Sequence, residues 1–400
     1  MTILAVNAGS STLKFALYPI EGVSAQPAVF TGLVDGLLLP GPLKIQWTTG
    51  RTTQRESVAA PDNDRFAHAL RALQDVLQRD SAGRELQAVA HRVVHGGHAY
   101  RDATLVNEGV LLALEKLNGL APLHQPHNVQ GIRAFTKAFP SLPQIACFDT
   151  AFHADLPDVE YHFALPQDLS AQGIRRYGFH GLSYQYVMNA LQQSSGRAQG
   201  RVVMAHLGSG ASVCGAVRGK SRATSMGFSA LDGLMMGTRS GSLDVGVVLH
   251  LLSLGWDHAR LQDLLYRQSG LLGVSGVSSD MRDLRTSANA QADLAIRMFT
   301  YRAVREVGAM SACIGGLDVL AFTGGIGEDD AVLRSQVCEQ LAFLGVGMDH
   351  KKNACIPGPQ PMALHSAQSS VEVWVAPTDE GRVAAQTAVA LMLHTTKQLR

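Results

Sequence analysis

Residues 3–17 read Ile3-Leu4-Ala5-Val6-Asn7-Ala8-Gly9-Ser10-Ser11-Thr12-Leu13-Lys14-Phe15-Ala16-Leu17. An apolar run enters a Gly/Ser turn and leaves it as a second strand, because Leu13, Phe15 and Leu17 alternate with Thr12, Lys14 and Ala16 at the period of a half-buried strand. A glycine-rich loop opening a helix would indicate a P-loop or dinucleotide fold. A hairpin carrying Asn, Ser, Thr and Lys points instead to a phosphate-clasping β-turn, although an ordinary hairpin reads the same way in isolation. About 199 residues later the pattern returns in Val202-Val203-Met204-Ala205-His206-Leu207-Gly208-Ser209-Gly210-Ala211-Ser212-Val213-Cys214-Gly215-Ala216-Val217, with Gly208 in the place of Gly9 and His206 in that of Asn7. Recurrence at half the chain length predicts two related lobes, each offering one phosphate-binding hairpin to a shared cleft. Two unrelated hairpins are the alternative in a chain with 40 glycines.

Four hundred residues suit two or three domains with a large core. At 17% the charged fraction is below the usual ~25%, so much of the chain is expected to be buried. A net charge of +1 without a long Lys/Arg run argues against nucleic acid or a membrane surface as partner. The five cysteines (Cys147, Cys214, Cys313, Cys338, Cys355) are odd in number and form no CxxC pair, which favours reduced thiols over a disulfide framework or a zinc site. Met1 to Val6 lacks the features of a secretory signal, and no run approaches the ~20 apolar residues of a membrane span. The expectation is a soluble cytoplasmic protein.

Short strands are expected at Phe30 to Asp35, Leu43 to Trp47, Ala88 to Val94 and Gln144 to Asp149. Helices are expected at Asp64 to Gln78, Val110 to Leu120 and Asn128 to Ala138. The second half begins near residue 150 with its own hairpin. Helices follow near Leu243 to Leu254 and Ala290 to Gly315, and strands at Val319 to Phe322 and Val371 to Val375. A final helix, Arg382 to Leu393, would pack back onto the first lobe. The class is α/β with mixed sheets, divided into residues 1–149 plus 382–400 and residues 150–381.

Gly215 to Ser221 mimics a Walker A loop but has one residue too few between its glycines, and it reads as a turn. Gly324-Gly325-Ile326-Gly327-Glu328 after a buried strand either lets a backbone approach phosphate or is a simple strand-to-helix turn. Arg92, in His91-Arg92-Val93-Val94-His95-Gly96-Gly97, and Arg239, in Met235-Met236-Gly237-Thr238-Arg239-Ser240-Gly241, are each either structural ion-pair partners or aimed at an anion. With His180 and Asp149 in similar contexts, the set favours function. Asp149 and Glu380, each at the end of an expected strand, could hold hydrated Mg²⁺ or cap a helix. None of the fifteen histidines has HExxH spacing, which argues against a transition-metal site.

These segments, with Ala121-Pro122-Leu123-His124, Phe148 to His153, Arg175 to Gly181, Ser225-Met226-Gly227-Phe228, Gly233 to Gly241, Ser275 to Leu284 and Gly325 to Glu328, resemble the acetate kinase family in order and over essentially the whole chain. The resemblance implies a two-lobed actin-like ATPase fold with ribonuclease H-like duplicated lobes, a homodimer, and Mg-ATP-dependent phosphorylation of a short carboxylate such as acetate. By the same resemblance Asn7 and Glu380 would hold Mg²⁺ (or Mn²⁺ in its place) and Lys14 would touch the ATP phosphates. Arg92 and Arg239 would clamp the carboxylate and the transferring phosphoryl, His180 would stabilise that phosphoryl, and Asp149 would be the catalytic acid. His206, Leu207, Gly208, Ser209 and Gly210, with Gly325, Ile326, Gly327, Glu328 and Asp329, would line the phosphates. Asp280, Met281 and Arg282 would meet the adenosine, and Val94, Leu123 and Phe179 the substrate methyl group.

The chemistry is consistent with this set. A carboxylate with a pKa of about 4–5 is already ionised and needs no general base, so the site's task is positioning and charge neutralisation. Asp149 is therefore expected to orient metal or Arg92 instead of taking a proton. The chain departs from the family at Ser209 (usually Asn), Ser242 and Val245 (Asp and Pro), Gly381 (a second Glu) and Ala230 (Pro, beside the acyl pocket), and the space freed at Ala230 is expected to let propionate be handled relatively well. The alternatives are a propionate or butyrate kinase and a non-catalytic actin-like ATP-binding switch. A switch would not need Arg92, Arg239 and His180, and a sugar kinase would need a more polar pocket than Val94, Leu123 and Phe179 provide.

Overall fold

The computed structural model describes residues 1–61, 64–80 and 85–398. They form two compact units, one of residues 1–151 and 379–400 and the other of residues 152–378. In the first, β1 (Thr2–Ala8), β2 (Thr12–Glu21), β3 (Ser24–Ala25), β4 (Phe30–Asp35), β5 (Leu43–Thr49), β6 (Thr52–Val58), β7 (Leu86–Val93), β8 (Thr104–Leu105) and β9 (Gln144–Phe148) make one sheet. Its order is β6-β5-β4-β2-β1-β7-β9-β8, with β3 on β2. In the second, β10 (Arg201–Leu207), β11 (Ala211–Val217), β12 (Lys220–Thr224), β13 (Val319–Thr323), β14 (Met362–Ala363) and β15 (Glu372–Val375) are ordered β12-β11-β10-β13-β15-β14.

The repeat is topological. β4-β2-β1 pair antiparallel and β1-β7-β9 parallel, and β12-β11-β10 and β10-β13-β15 reproduce the same order and senses. Tight turns can join only the antiparallel strands, so the parallel ones need helical crossovers. Every loop at the carboxyl end of a parallel strand therefore opens on the same edge as its hairpin tip, where α/β sheets place ligands.

Alternation sets the core of the first unit. Leu13, Phe15 and Leu17 are buried while Lys14 is exposed, and helix Arg65–Asp80 lays Leu70, Leu73 and Leu77 on that face. The other face receives helix Glu380–Gln398, which packs on β1 and β7. This helix begins at Glu380 and not at Arg382, because the Asp379 carboxylate accepts the Arg382 amide at 3.0 Å and caps it. Helix Glu108–Glu115 stops short of Leu120, with the chain turning through Asn118-Gly119.

In the second unit Val202, Met204, Cys214, Ala216, Val319 and Ala321 meet Tyr184, Val187, Met188 and Leu191 of helix Gly181–Ser194. The long helix Ala290–Cys313 covers the opposite face. A Cβ at Gly215 would stand 2.9 Å from Ile314, so glycine in β11 permits that close approach. The Walker A look-alike is the β11–β12 turn, with Arg218 and Gly219 both at positive φ. Among the described residues no helix is long and apolar enough to cross a membrane.

Candidate active site

In the first unit the hairpin tip, the ends of β7 and β9 and the start of helix Glu380–Gln398 bring four of the expected residues to one cavity. Asn7, Lys14, Arg92 and Glu380 line a space of about 370 Å³. Arg92, at the end of β7, is gripped by two acids. Asp149, buried just beyond β9, accepts hydrogen bonds from Nη2 at 2.7 Å and Nε at 3.1 Å, and Glu380 Oε2 forms an ion pair with Nη1 at 3.0 Å. Burial opposes the charge of Arg92, but the Asp149 and Glu380 carboxylates overcome it and raise its pKa well above the ordinary guanidinium value. The hydrogen bonds to Asp149 use the Nε–H and one Nη2–H, so three of the five guanidinium N–H groups remain for other acceptors.

Glu380 sits in the first turn of a helix, not at a strand end. Its Oε1 and the Asn7 carboxamide have no protein hydrogen-bond partner among the described residues, and both residues face the cavity. Hard oxygens on a charged cavity suit Mg²⁺, which takes one or two carboxylates and completes its shell with water and phosphate. No group of three His, Cys, Asp or Glu suited to a metal occurs among the described residues, and Mg²⁺ does not require one. Val94 is buried beyond β7, its amide donating to Asn128 Oδ1 at 3.0 Å, and Leu123 lies in the half-buried turn before helix Gln125–Ala138.

The second unit gathers a different set. His180 directly precedes helix Gly181–Ser194 in a left-handed conformation, φ 58° and ψ 24°. Such a backbone is strained for a non-glycine residue and concentrates at functional sites. Its Nδ1 lies 2.8 Å from Ser212 Oγ, and its ring stacks on His206 at 4.3 Å, with His206 Nδ1 2.8 Å from Ser183 Oγ. A Cβ at Gly210 would stand 2.6 Å from Arg239 Nη2 and 3.4 Å from His180 Nε2, so both nitrogens converge on the hairpin tip. Phe179 is buried, and its carbonyl is 3.0 Å from His153 Nε2.

Arg239 has no carboxylate partner among the described residues. Its Nη1 donates to the Ala230 carbonyl at 2.6 Å, and desolvation lowers its pKa to about 10, against a smaller upward pull from Tyr266. Its loop is fixed by backbone bonds from Gly237 N to Ser209 O at 3.0 Å and from Ser240 N to Leu265 O at 3.1 Å. A half-buried guanidinium without an acid partner among the described residues is well placed to take an anion.

The glycine segment after β13 forms the short helix Gly324–Asp329, which holds Gly325, Ile326 and Gly327. Gly324 has φ +76°, and a Cβ there would stand 2.8 Å from the Leu207 carbonyl, so this turn lies directly against the hairpin. Glu328 turns inward and accepts from Gly324 N at 2.9 Å and Thr378 N at 3.2 Å, while burial raises its pKa. It therefore ties the turn together.

Asp280 caps helix Met281–Thr286, accepting from Arg282 N at 2.9 Å, and the exposed Arg282 side chain pairs with it at 2.6 Å. Those hydrogen bonds lower the Asp280 pKa to about 2. Met281 is buried, and Arg285 joins this helix to Asp330, just beyond Asp329, at 2.7 Å. Ser183, Tyr184 and Ser212, which hold the two imidazoles, escaped the sequence reading. The available signal was Tyr184, Val187, Met188 and Leu191 at helical spacing immediately after His180.

The sequence profile of the acetokinase family matches residues 2–386. The acetate kinase of Rhodopseudomonas palustris (strain ATCC BAA-98 / CGA009) is 48% identical over 382 residues, covering 94% of this chain and 95% of its own. Among solved structures, Porphyromonas gingivalis acetate kinase superposes with a TM-score of 0.85 at 36% identity, covering 98% of this chain and 99% of its own. A propionate kinase from Francisella tularensis gives 0.87 at 35% identity, covering 96% and 98%.

Proposed function

The chain belongs to the acetokinase family, with the actin-like ATPase fold of its structural relatives, and we propose that it transfers the γ-phosphoryl group of ATP reversibly to the carboxylate of acetate, giving acetyl phosphate. The observation that carries this reading is Arg239, a half-buried guanidinium without an acid partner among the described residues, beside His180 on a glycine hairpin. Fixed donors aimed at the oxygens of a transferring phosphoryl supply most of the catalysis in such a reaction. Arg239 and His180 serve the phosphoryl, and Arg92, held by Asp149 and Glu380, serves the carboxylate.

Asp149 acts by orienting Arg92. Both its oxygens accept from that guanidinium, through Nε and Nη2, and an ionised carboxylate substrate offers no proton to take. Asn7 and Glu380 would hold Mg²⁺ (or Mn²⁺), which neutralises phosphate charge when bound. Lys14, His206 to Gly210 and Gly325 to Asp329 serve the ATP phosphates, Asp280 to Arg282 the adenosine, and Val94, Leu123 and Phe179 the methyl group. Propionate is a second substrate, supported by the propionate kinase relative and by Ala230, whose carbonyl also anchors Arg239.

The chain forms a homodimer in the cytoplasm. Helix Val245–Ser253 supports the first point, since it is strongly apolar yet buries none of its residues and exposes Val245, Leu249 and Leu252. The five free cysteines support the second. Trapping with hydroxylamine tests the activity: ATP, Mg²⁺ and acetate should give the hydroxamate of acetyl phosphate, with less from propionate and butyrate. No hydroxamate from any of the three acids would sink the proposal.

A further inference from the structure

We infer that Tyr184 and Ser212 are positioning residues that lock His180 in the tautomer carrying its proton on Nε2. Tyr184 is inaccessible to water, and its hydroxyl lies 2.5 Å from Ser212 Oγ, the one acceptor for the phenol proton among the described residues. A buried hydroxyl proton without an acceptor is costly, so Tyr184 donates and Ser212 accepts. Ser212, equally buried, has a single proton of its own, and its remaining partner is His180 Nδ1 at 2.8 Å. Ser212 therefore donates to Nδ1, and the neutral imidazole carries its hydrogen on Nε2.

The opposite polarity, with Nδ1–H donating to Ser212 and Ser212 donating to Tyr184, would leave the phenol proton stranded in the core. Nε2 is the atom that faces Gly210 beside Arg239 Nη2, so the relay delivers a second hydrogen-bond donor to that point. Both ends of the relay are rigidly placed. Ser212 sits on β11 opposite His206 of β10, and Tyr184 projects from the first turn of helix Gly181–Ser194, the helix that His180 precedes. An imidazole that instead presented an unprotonated Nε2 would put a lone pair where phosphoryl charge develops. Two hydroxyls outside the site thus decide whether His180 attracts or repels an anion. The tautomer is a property of the protein as it stands; its consequence for rate rests on the reading that His180 faces the phosphoryl.

The test is a long-range ¹⁵N–¹H correlation spectrum of the full chain labelled with ring-¹⁵N histidine, His180 being identified by its loss in His180→Gln. Wild type should show Nε2 protonated and Nδ1 as an acceptor. Tyr184→Phe, which keeps the ring packed, and Ser212→Ala should each give a mixture of tautomers. In both, kcat should fall about tenfold with KM for acetate and ATP nearly constant, and Ser212→Thr should restore both signals. A protonated Nδ1 in wild type would overturn the inference, as would an unchanged tautomer in both folded variants. A shifted tautomer with unchanged kcat would uphold the lock and remove His180 from the phosphoryl.

Discussion

The β1–β2 and β10–β11 hairpins share a strand order, a Gly/Ser tip and neighbouring parallel strands, yet the groups around them differ. The first unit surrounds its tip with charge that is already paired, Arg92 standing between Asp149 and Glu380. The second surrounds its tip with two stacked imidazoles, hydroxyls, glycine backbone and a guanidinium without an acid partner among the described residues. The duplicated scaffold fixes where loops open, and the side chains set there decide the chemistry. One tip carries preorganised ion pairs and oxygen ligands, and the other carries donors that await an anion.

The sharpest way to break this contrast is to remove the carboxylate that orients Arg92. Asp149→Asn should lower kcat/KM about a thousandfold. Rates in D₂O and H₂O should stay nearly equal for wild type and variant, as expected when Asp149 moves no proton. A large solvent isotope effect in wild type that vanishes in the variant would restore Asp149 as an acid.

The glycines compare the tips directly. Gly210→Ala sets a methyl group 2.6 Å from Arg239 Nη2, whereas at Gly9 the nearest atom is the Thr12 carbonyl at 3.4 Å. Steady-state kinetics should show a loss of about a hundredfold for Gly210→Ala, and a change within about twofold for Gly9→Ala. Equal effects would mean that the tips are functionally equivalent.

Acid should separate the units by stability. Burial lowers the pKa of His91 and His95 in the first unit and His153 in the second to about 4, with the Gln144 and Phe179 hydrogen bonds opposing at His91 and His153. The unfolded chain protonates these rings near 6.5, so the stability they confer is full above that pH and lost as pH falls toward 4. Each should cost about 2 kcal/mol between pH 7 and pH 5. Urea unfolding followed by Trp47 should fall more than unfolding followed by Trp374, since the first unit buries two such rings. Equal slopes would contradict the assignment. The smallest effect concerns selectivity: Ala230→Pro should shift the acetate-to-propionate ratio of kcat/KM about fivefold toward acetate, and an unchanged ratio would remove Ala230 from the acyl pocket.

The sequence made the hairpins legible because Leu13, Phe15 and Leu17 alternate and glycine marks both tips. It did not reveal the matching five-strand order, since β7 and β9 join the sheet across long separations that no local pattern encodes. Arg92 and Arg239 looked alike in sequence, each flanked by apolar residues and glycine. Only tertiary structure separates an arginine with two acid partners from one without any among the described residues. Glu380 reads as a strand end in the sequence because it follows β15 by only a short irregular link, and the Asp379 cap that starts its helix carries no apolar periodicity of its own. The helical spacing that includes Tyr184 placed it in a core, but the role of its hydroxyl and of Ser212 had no signal, since a hydroxyl inside a strand or helix becomes meaningful only through its partner.

The claim that phosphoryl charge is met by the donors of the second hairpin is tested most directly by Arg239→Ala assayed with and without added guanidinium. The variant should fold and form hydroxylamine-trapped acetyl phosphate at least about a thousandfold more slowly, with part of that loss recovered by guanidinium. Formation at the wild-type rate without guanidinium would contradict it.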